Sequence, residues 1–480
     1  MKTFVYLGVR CNAKNENTNM TTGKNLNKNL ETFLRHIDAI KDTLPMTMLL
    51  IQPYNKKAND DFMKFLKESV EEIEDDNGKK RLLVKADESK KFETLERNAS
   101  TSSLANKIIP ESLFVSLISQ YDAFLTRLLR AIYEIKPDVL NGSERNLTFS
   151  QLVEMETIEN AREFIIDKEI DTVLRRSHSE QFDYLEKLIG IKLRENLPIW
   201  QTFIEITERR NLLVHCDGVV SNQYVKNCQE HNCQIEKTEV GDRLGVEPKY
   251  FSIAYKCLYE IATKLTHTIW RKLLISDLKE ADRELNDVCF HLINTNSFDL
   301  ADILLDFGCH QKRHFNDSLK NVFIVNGSLS KYLQDRKDEA KQILDKKDWS
   351  ASSDDFKLAY AVLTDDYEKA YKIMSKIGDK GEVDKSDYKQ WPLFNKIRTE
   401  EKFKETFKFI FKEEYSVMET PMRPLQELIT KEIKKNKELK EKTFKKVESA
   451  KELKEKESTT PKTGLPQVGV KRKSRVRASK

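Results

Sequence analysis

The sequence predicts a mainly α-helical fold, on three observations. Gly and Pro number only 14 and 11 in 480 residues, charged residues make up 34%, and apolar residues recur every three or four positions over long stretches. The first removes the turn chemistry that a chain of many short strands needs. The second supplies solvated helix faces, and the third supplies the stripes by which helices pack. At this length two or three domains plus tails are expected.

Taken in order, Phe4-Val5-Tyr6-Leu7-Gly8-Val9 reads as a first strand, too short for a secretory signal core. Asn12 to Asn29, rich in Asn, Thr and Lys, reads as a flexible loop. Leu30 to Leu44 and Phe62 to Ile73 have helical spacing, with Met46 to Ile51 a strand between them and Arg81-Leu82-Leu83-Val84 another. Residues 1–104 are therefore expected to form a small helical or α/β region. From Pro110, placed in a first turn, the apolar positions Leu113, Leu117, Tyr121, Phe124, Leu128 and Ile132 predict one long helix. Further helices are expected over Thr148–Glu154, Ile158–Glu186 with a break near Arg175–His178, Pro198–Cys216 and Pro248–Leu274, giving a helical bundle over residues 105–276.

Beyond Ser276 a phrase recurs: Phe298-Asp-Leu-Ala-Asp-Ile-Leu, Lys337-Asp-Glu-Ala-Lys-Gln-Ile-Leu and Tyr367-Glu-Lys-Ala-Tyr-Lys-Ile-Met. A small Ala in each lets neighbouring helices approach closely, so residues 277–416 resemble, loosely, a tetratricopeptide-like helical repeat that offers a surface to a protein partner. An ordinary helical domain using Ala by propensity is the competing reading. Residues 417–480 read as a Lys/Glu-rich helix and a disordered basic tail. Lys431 to Lys480 holds 18 Lys/Arg against 7 Asp/Glu, so the +5 of the whole chain leaves −6 for residues 1–430. Such a tail suits nucleic-acid phosphates or simply keeps the chain soluble.

No apolar run approaches the ~20 residues of a membrane span, which makes a cytoplasmic protein with no membrane partner the expectation. Seven scattered cysteines predict reduced thiols rather than a disulfide framework. Gly-rich phosphate loops, Gly-x-Ser-x-Gly and His-Glu-x-x-His are absent from the sequence, which leaves P-loop, serine-hydrolase and zincin chemistry without support.

The segment that could carry chemistry is Arg210-Asn211-Leu212-Leu213-Val214-His215. On one helix from Ile199, Phe203, Ile206, Leu213 and Val214 fall within about 60° of Arg210, so a guanidinium sits in an apolar stripe. It must snorkel, pair with a carboxylate such as Asp122 or Glu208, or face a second polar surface. His215 lies at the helix end that Asp217-Gly218 marks, where an imidazole can both take and give a proton, and Asn211 is placed to hold it. An anion-stabilising Arg beside such a His is what cleavage of RNA through its own 2′-hydroxyl requires, with no metal or other cofactor. The spacing alone arises about once by chance in a chain of this composition.

The setting, Glu208-Arg209-Arg210-Asn211-Leu212-Leu213-Val214-His215-Cys216-Asp217-Gly218 after Trp200–Thr207, with Ser119-Gln-Tyr-Asp122 on the long helix, resembles the HEPN superfamily of all-α ribonucleases and nucleotide-binding proteins over about residues 105–276. That resemblance implies a homodimer in which two Arg/His motifs form one metal-independent RNA-cleaving site. Arg210 and His215 would be its catalytic pair and Asn211 the polar residue of the motif. Many members act as toxins or in bacterial antiviral defence, and some only bind nucleotides or act as structural partners. A non-catalytic scaffold with Arg210 salt-bridged inside the bundle is the alternative.

Arg209, with Arg175, Arg176 and His178, is expected to contact the RNA, although a polar helix junction would also account for Arg175 to Glu180. His215, Cys216, Cys228, His231 and Cys233 invite a zinc reading, but their spacing matches no standard module, so no metal is expected. Tyr224, Tyr250, Phe251 and Tyr255 either stack on bases or belong to the core.

Overall fold

The longest element is helix α1, Thr22–Ser69, whose apolar residues Leu26, Leu30, Phe33, Ile37, Ile40, Leu44, Met48 and Ile51 advance in steps of three or four. That spacing is a coiled-coil seam. It packs antiparallel on α2, Ser89–Ile135, in one continuous register. Asn29 bonds the Arg127 carbonyl, His36 faces Gln120, and Asn55 accepts from Ser102 at 3.0 Å. The last is a polar pair in the seam, of the kind that fixes register at some expense of stability. The hairpin's tip is an antiparallel β-ribbon of β1, Val70–Glu74, and β2, Lys80–Val84, with Val70 opposite Val84. The computed structural model describes residues 22–74, 80–142, 146–195, 197–235 and 238–415.

The described residues hold sixteen α-helices, five short 3-10 helices and this one two-stranded sheet, so the mainly α fold is as predicted. Several local expectations are corrected. Residues 22–29 of the supposed Asn-rich loop are the first turns of α1, where Asn25 and Asn27 bond Glu134 and Glu284. Met46 to Ile51 is helix, not strand. Its apolar run, broken only by Thr47, arises because Met48 and Ile51 face α2 while Met46, Leu49 and Leu50 face outward, 65–80% exposed. Pro110 does not begin the long helix but lies inside it, as Pro45 and Pro53 lie inside α1. Each removes one backbone bond, to the carbonyls of Asn106, Lys41 and Leu49. The boundary expected at residue 104 falls within α2, so residues 22–104 are one part of a hairpin whose inner end shares the core. The Phe4–Val9 strand and the Lys-rich helix and basic tail at 417–480 lie outside the described residues.

Inner α1 and α2 pack on α4 (Ile158–Leu174), α5 (His178–Ile189), α6 (Trp200–His215) and α8 (Pro248–Leu273) around Phe33, Tyr121, Phe124, Phe203 and Leu258, all inaccessible to solvent. Short helices α3 (Phe149–Glu154) and α7 (Asn222–Glu230) flank them. The break foreseen near Arg175–His178 is real: Ser177 caps α5, its side chain accepting from the Glu180 amide while Glu180 bonds back.

From Leu278 the chain forms three helix pairs, α9/α10 (Leu278–Asn294, Phe298–Cys309), α11/α12 (Asp317–Leu333, Lys337–Leu344) and α13/α14 (Asp354–Leu363, Tyr367–Ile377). The recurring alanines 301, 340 and 370 are fully buried. A second regularity accompanies them: five residues before each Ala stands Asn296, Asp335 or Asp365, at φ 55°, 59° and 58°. The next amide in each turn bonds a carbonyl five residues back, Ser297 to Leu292, Arg336 to Lys331 and Asp366 to Ala361. These are three copies of one left-handed helix cap. Helices α15 (Lys385–Gln390) and α16 (Glu401–Phe411) follow. No described helix is long and apolar enough to cross a membrane.

Candidate functional site

Helix α6 ends abruptly because Asp217 and Gly218 both take positive φ, 49° and 75°, and the Gly218 amide bonds the Leu212 carbonyl. Glycine is required there: a Cβ on Gly218 would stand 2.5 Å from the Leu244 carbonyl oxygen. The Gly218 carbonyl accepts from Leu244, and Arg243 bridges Asp217 and Glu111, each at 3.2 Å, which pins the loop after the motif to the body. His215 occupies the last turn of α6, exposed and without a hydrogen bond among the described residues.

Five residues earlier Arg210 is 24% exposed and held by α2 and by its own helix. One terminal nitrogen donates to Asp122 of α2 at 3.2 Å, and the other donates to the Asn211 side-chain oxygen at 3.1 Å. Its Nε is shielded from water and has no acceptor. Asn211 thus serves Arg210 rather than holding His215 as expected. The second oxygen of Asp122 meets His178 Nε2 at 3.1 Å. His178 is the first residue of α5, its side chain 10% exposed, its ring edge-on to Phe203 and tilted on Tyr121. Asp122 therefore links Arg210 and His178. The neighbouring Tyr121 hydroxyl is buried without a partner, and burial first, then Asp122, pushes its pKa up.

Arg209 is in a different environment. Its Nε donates to Glu205 at 2.8 Å, its guanidinium lies 3.8 Å from the Tyr250 ring centroid, and it reaches the Gly245 carbonyl. Glu205, 7% exposed, also accepts from Tyr224 and Tyr250 at 2.8 and 2.5 Å. Burial acts against the Arg209 charge, but Tyr250 and Glu205 outweigh it and raise its pKa. Burial and then Glu205 push the Tyr250 hydroxyl up. The expected RNA contact of Arg209 is thus corrected: its side chain, 17% exposed, is committed to an interior carboxylate. Tyr224, Phe251 and Tyr255 are buried, and Glu208, weighed as a partner of Arg210, instead accepts from Asn227 at 2.9 Å.

At the helix junction Arg175 is exposed and Arg176 lies over the Tyr184 ring at 5.5 Å, so both guanidiniums stay at the surface near His178. Among the described residues no group of three His, Cys, Asp or Glu is placed to hold a metal. Cys228 and Cys233 are buried together, Cys233 donates to the Gln201 carbonyl, and His231 packs edge-on to Trp200.

Sequence reasoning singled out Arg210, His215 and Asp122 but missed the contact between Asp122 and His178, which joins residues 56 positions apart on two helices. It also missed Glu205, although that residue stands four before Arg209 on the same helix, the spacing of a helical ion pair. The chain matches no family model, no curated protein and no solved structure.

Proposed function

We propose that the chain is a metal-independent endoribonuclease of the HEPN type, acting as a homodimer, with Arg210 as the group that neutralises charge on the scissile phosphate. The observation that carries this reading is the open valence of Arg210: two nitrogens are fixed by Asp122 and Asn211, and a third is out of water with no acceptor. Leaving such a donor unsatisfied costs about 1–3 kcal/mol, a penalty that a turn of the 24%-exposed guanidinium toward an anionic ligand would relieve. His215, exposed at the end of the same helix, is free to meet RNA or a second copy of the motif. His178, fixed by Asp122, and the surface arginines 175 and 176 extend the polar side of the site.

In the reaction, a histidine takes the proton of the RNA 2′-hydroxyl and that oxygen bonds to phosphorus. The bond from phosphorus to the 5′-oxygen then breaks, and the departing oxygen receives a proton. The products are a 2′,3′-cyclic phosphate and a 5′-hydroxyl. Purified wild type should cleave single-stranded RNA in the presence of a chelator, and Arg210→Ala and His215→Ala should each lose on the order of 100-fold or more in rate. Cleavage undiminished in both variants, or wild type inert on diverse RNAs, refutes the proposal.

One observation favours a second reading. The ion pair of Arg210 with Asp122 satisfies the arginine's charge within one chain, which suits a helical scaffold that binds protein or nucleic acid without cutting it. That scaffold would use the three helix pairs as its partner surface, and it is the reading left standing if wild type binds RNA without cleaving it.

A further inference from the structure

We propose that the outer face of α1, from Asp42 to Lys57, is a two-fold, antiparallel docking surface for a second copy of this chain. At 100° per residue, Asp42, Met46, Leu49, Leu50, Pro53 and Lys57 fall in a sector about 100° wide, directly opposite the seam that α2 covers. Met46, Leu49 and Leu50 are 65%, 70% and 80% exposed, with Tyr54 beside them at 61%. A helix whose first apolar face is already satisfied by α2 gains nothing for its own fold from a second one. Contiguous apolar surface of this kind marks an interaction site.

The order of residues along the stripe identifies the occupant. About a midpoint between Leu49 and Leu50 it reads alike in both directions: Leu49 with Leu50, Met46 with Pro53, and at the ends Asp42 with Lys57. An interface of two-fold symmetry requires a self-complementary patch, and this one is self-complementary in the antiparallel sense. Leu49 and Leu50 of both copies would meet at the axis, Met46 would pack by Pro53 of the second copy, and Asp42 would face Lys57 of the second copy at both ends. A parallel pairing would oppose Asp42 to Asp42 and Lys57 to Lys57 and is disfavoured by charge. Both end residues are available: Asp42 is solvent-exposed and only 4.0 Å from Lys41, and Lys57 has no ion-pair partner among the described residues. This inference is independent of what the Arg210 site does.

The stripe is about 24 Å long. An interface that small places the dissociation constant on the order of micromolar. Sedimentation of the full chain over a concentration series should therefore show one association step in that range: monomer to dimer, or dimer to tetramer where the Arg210 motifs already pair two copies. Leu50→Glu should weaken the dimer at least ~100-fold and leave the helical circular dichroism unchanged, because the side chain is exposed. Asp42→Lys and Lys57→Asp should each weaken it about tenfold, and the two combined in one chain should restore it to within about threefold of wild type. A wild type with no association step up to ~100 µM overturns the proposal. So does a step that is indifferent to Leu50→Glu, or a double variant as weak as the single ones.

Discussion

Replacing Glu205 by Ala should cost more stability than any substitution in the Arg210 cluster. Among the described residues Glu205 is the sole carboxylate that Arg209 contacts, and it is the acceptor for the Tyr224 and Tyr250 hydroxyls. Its removal leaves a guanidinium 17% exposed and without a counter-charge, and strands two hydroxyls, of which Tyr224's is buried. Breaking a buried pair from one side costs about 3–5 kcal/mol. At roughly 2–4 °C per kcal/mol for a chain of several hundred residues, the midpoint of thermal unfolding should fall on the order of 10 °C. Glu205→Gln keeps an acceptor oxygen and loses the charge, so about half of that fall is expected. By contrast the Arg210 and Asp122 side chains are 24% and 30% exposed, and Asp122→Asn should change stability by about 1 kcal/mol or less. Thermal unfolding followed by circular dichroism measures all three. The reasoning fails if Glu205→Ala unfolds within ~2 °C of wild type, or if Asp122→Asn is the more damaging change.

Other perturbations test separate parts of the molecule. Burial raises the pKa of Asp287 to about 8, with Glu284 adding to the shift. The folded state thus holds a proton that the unfolded state has released, and stability falls as pH rises from about 4 to 8. Asp287→Asn should flatten that slope in urea titrations and be the more stable protein at pH 9, with little difference at pH 4. His267 behaves oppositely. Burial lowers its pKa to about 3, neither ring nitrogen has a partner, and the ring stacks on Trp270. Its contribution is intact above pH 6.5 and lost as pH falls toward 3, so His267→Phe should resist acid better than wild type. At Gly308 an added Cβ would meet the Phe323 ring at 2.5 Å, and Gly308→Ala should destabilise the packing of the first helix pair on the second by about 1–3 kcal/mol in urea unfolding. Within the proposed reaction, His178→Gln should slow RNA cleavage on the order of 10–100-fold with the thermal unfolding midpoint little changed. An unchanged rate would make His178 a purely structural residue.

Periodicity made inner α2 legible, because Leu117, Tyr121, Phe124, Leu128 and Ile132 form one buried stripe, whereas α8 is buried on nearly every side from Cys257 to His267. Outer α1 defeated the same method for a physical reason. A helix with apolar residues on two opposite faces presents a nearly unbroken run, Met46 to Ile51 with only Thr47 interrupting, which is also how a buried strand reads. Proline commonly bounds a helix, yet Pro45 and Pro53 point to solvent within α1, where the freed carbonyls can bond water. The β1 strand was hidden because Phe62 to Ile73 keeps helical spacing through the helix end at Ser69. In the site, Arg210 and His215 could be named from their helix, whereas Asp122 and His178 are brought together by the packing of α2 on α5, which no local pattern encodes. The three left-handed caps were readable all along in Asn296, Asp335 and Asp365, had the repeat been sought five residues before each Ala.

The two long helices are clamped unequally along their length. Phe114 onward, and α1 up to about Leu44, are fixed in the core, while the rest is free of it. A rod held at one end carries its greatest bending moment at the clamp. At that level stand Pro110 on one helix and, within about a turn of it in the observed register, Pro45 on the other, each depriving the backbone of one axial bond. Load applied at the β-ribbon is therefore taken up as rotation at the root of the cantilever, and Asp122, about 18 Å further along α2 and inside the clamp, is spared it.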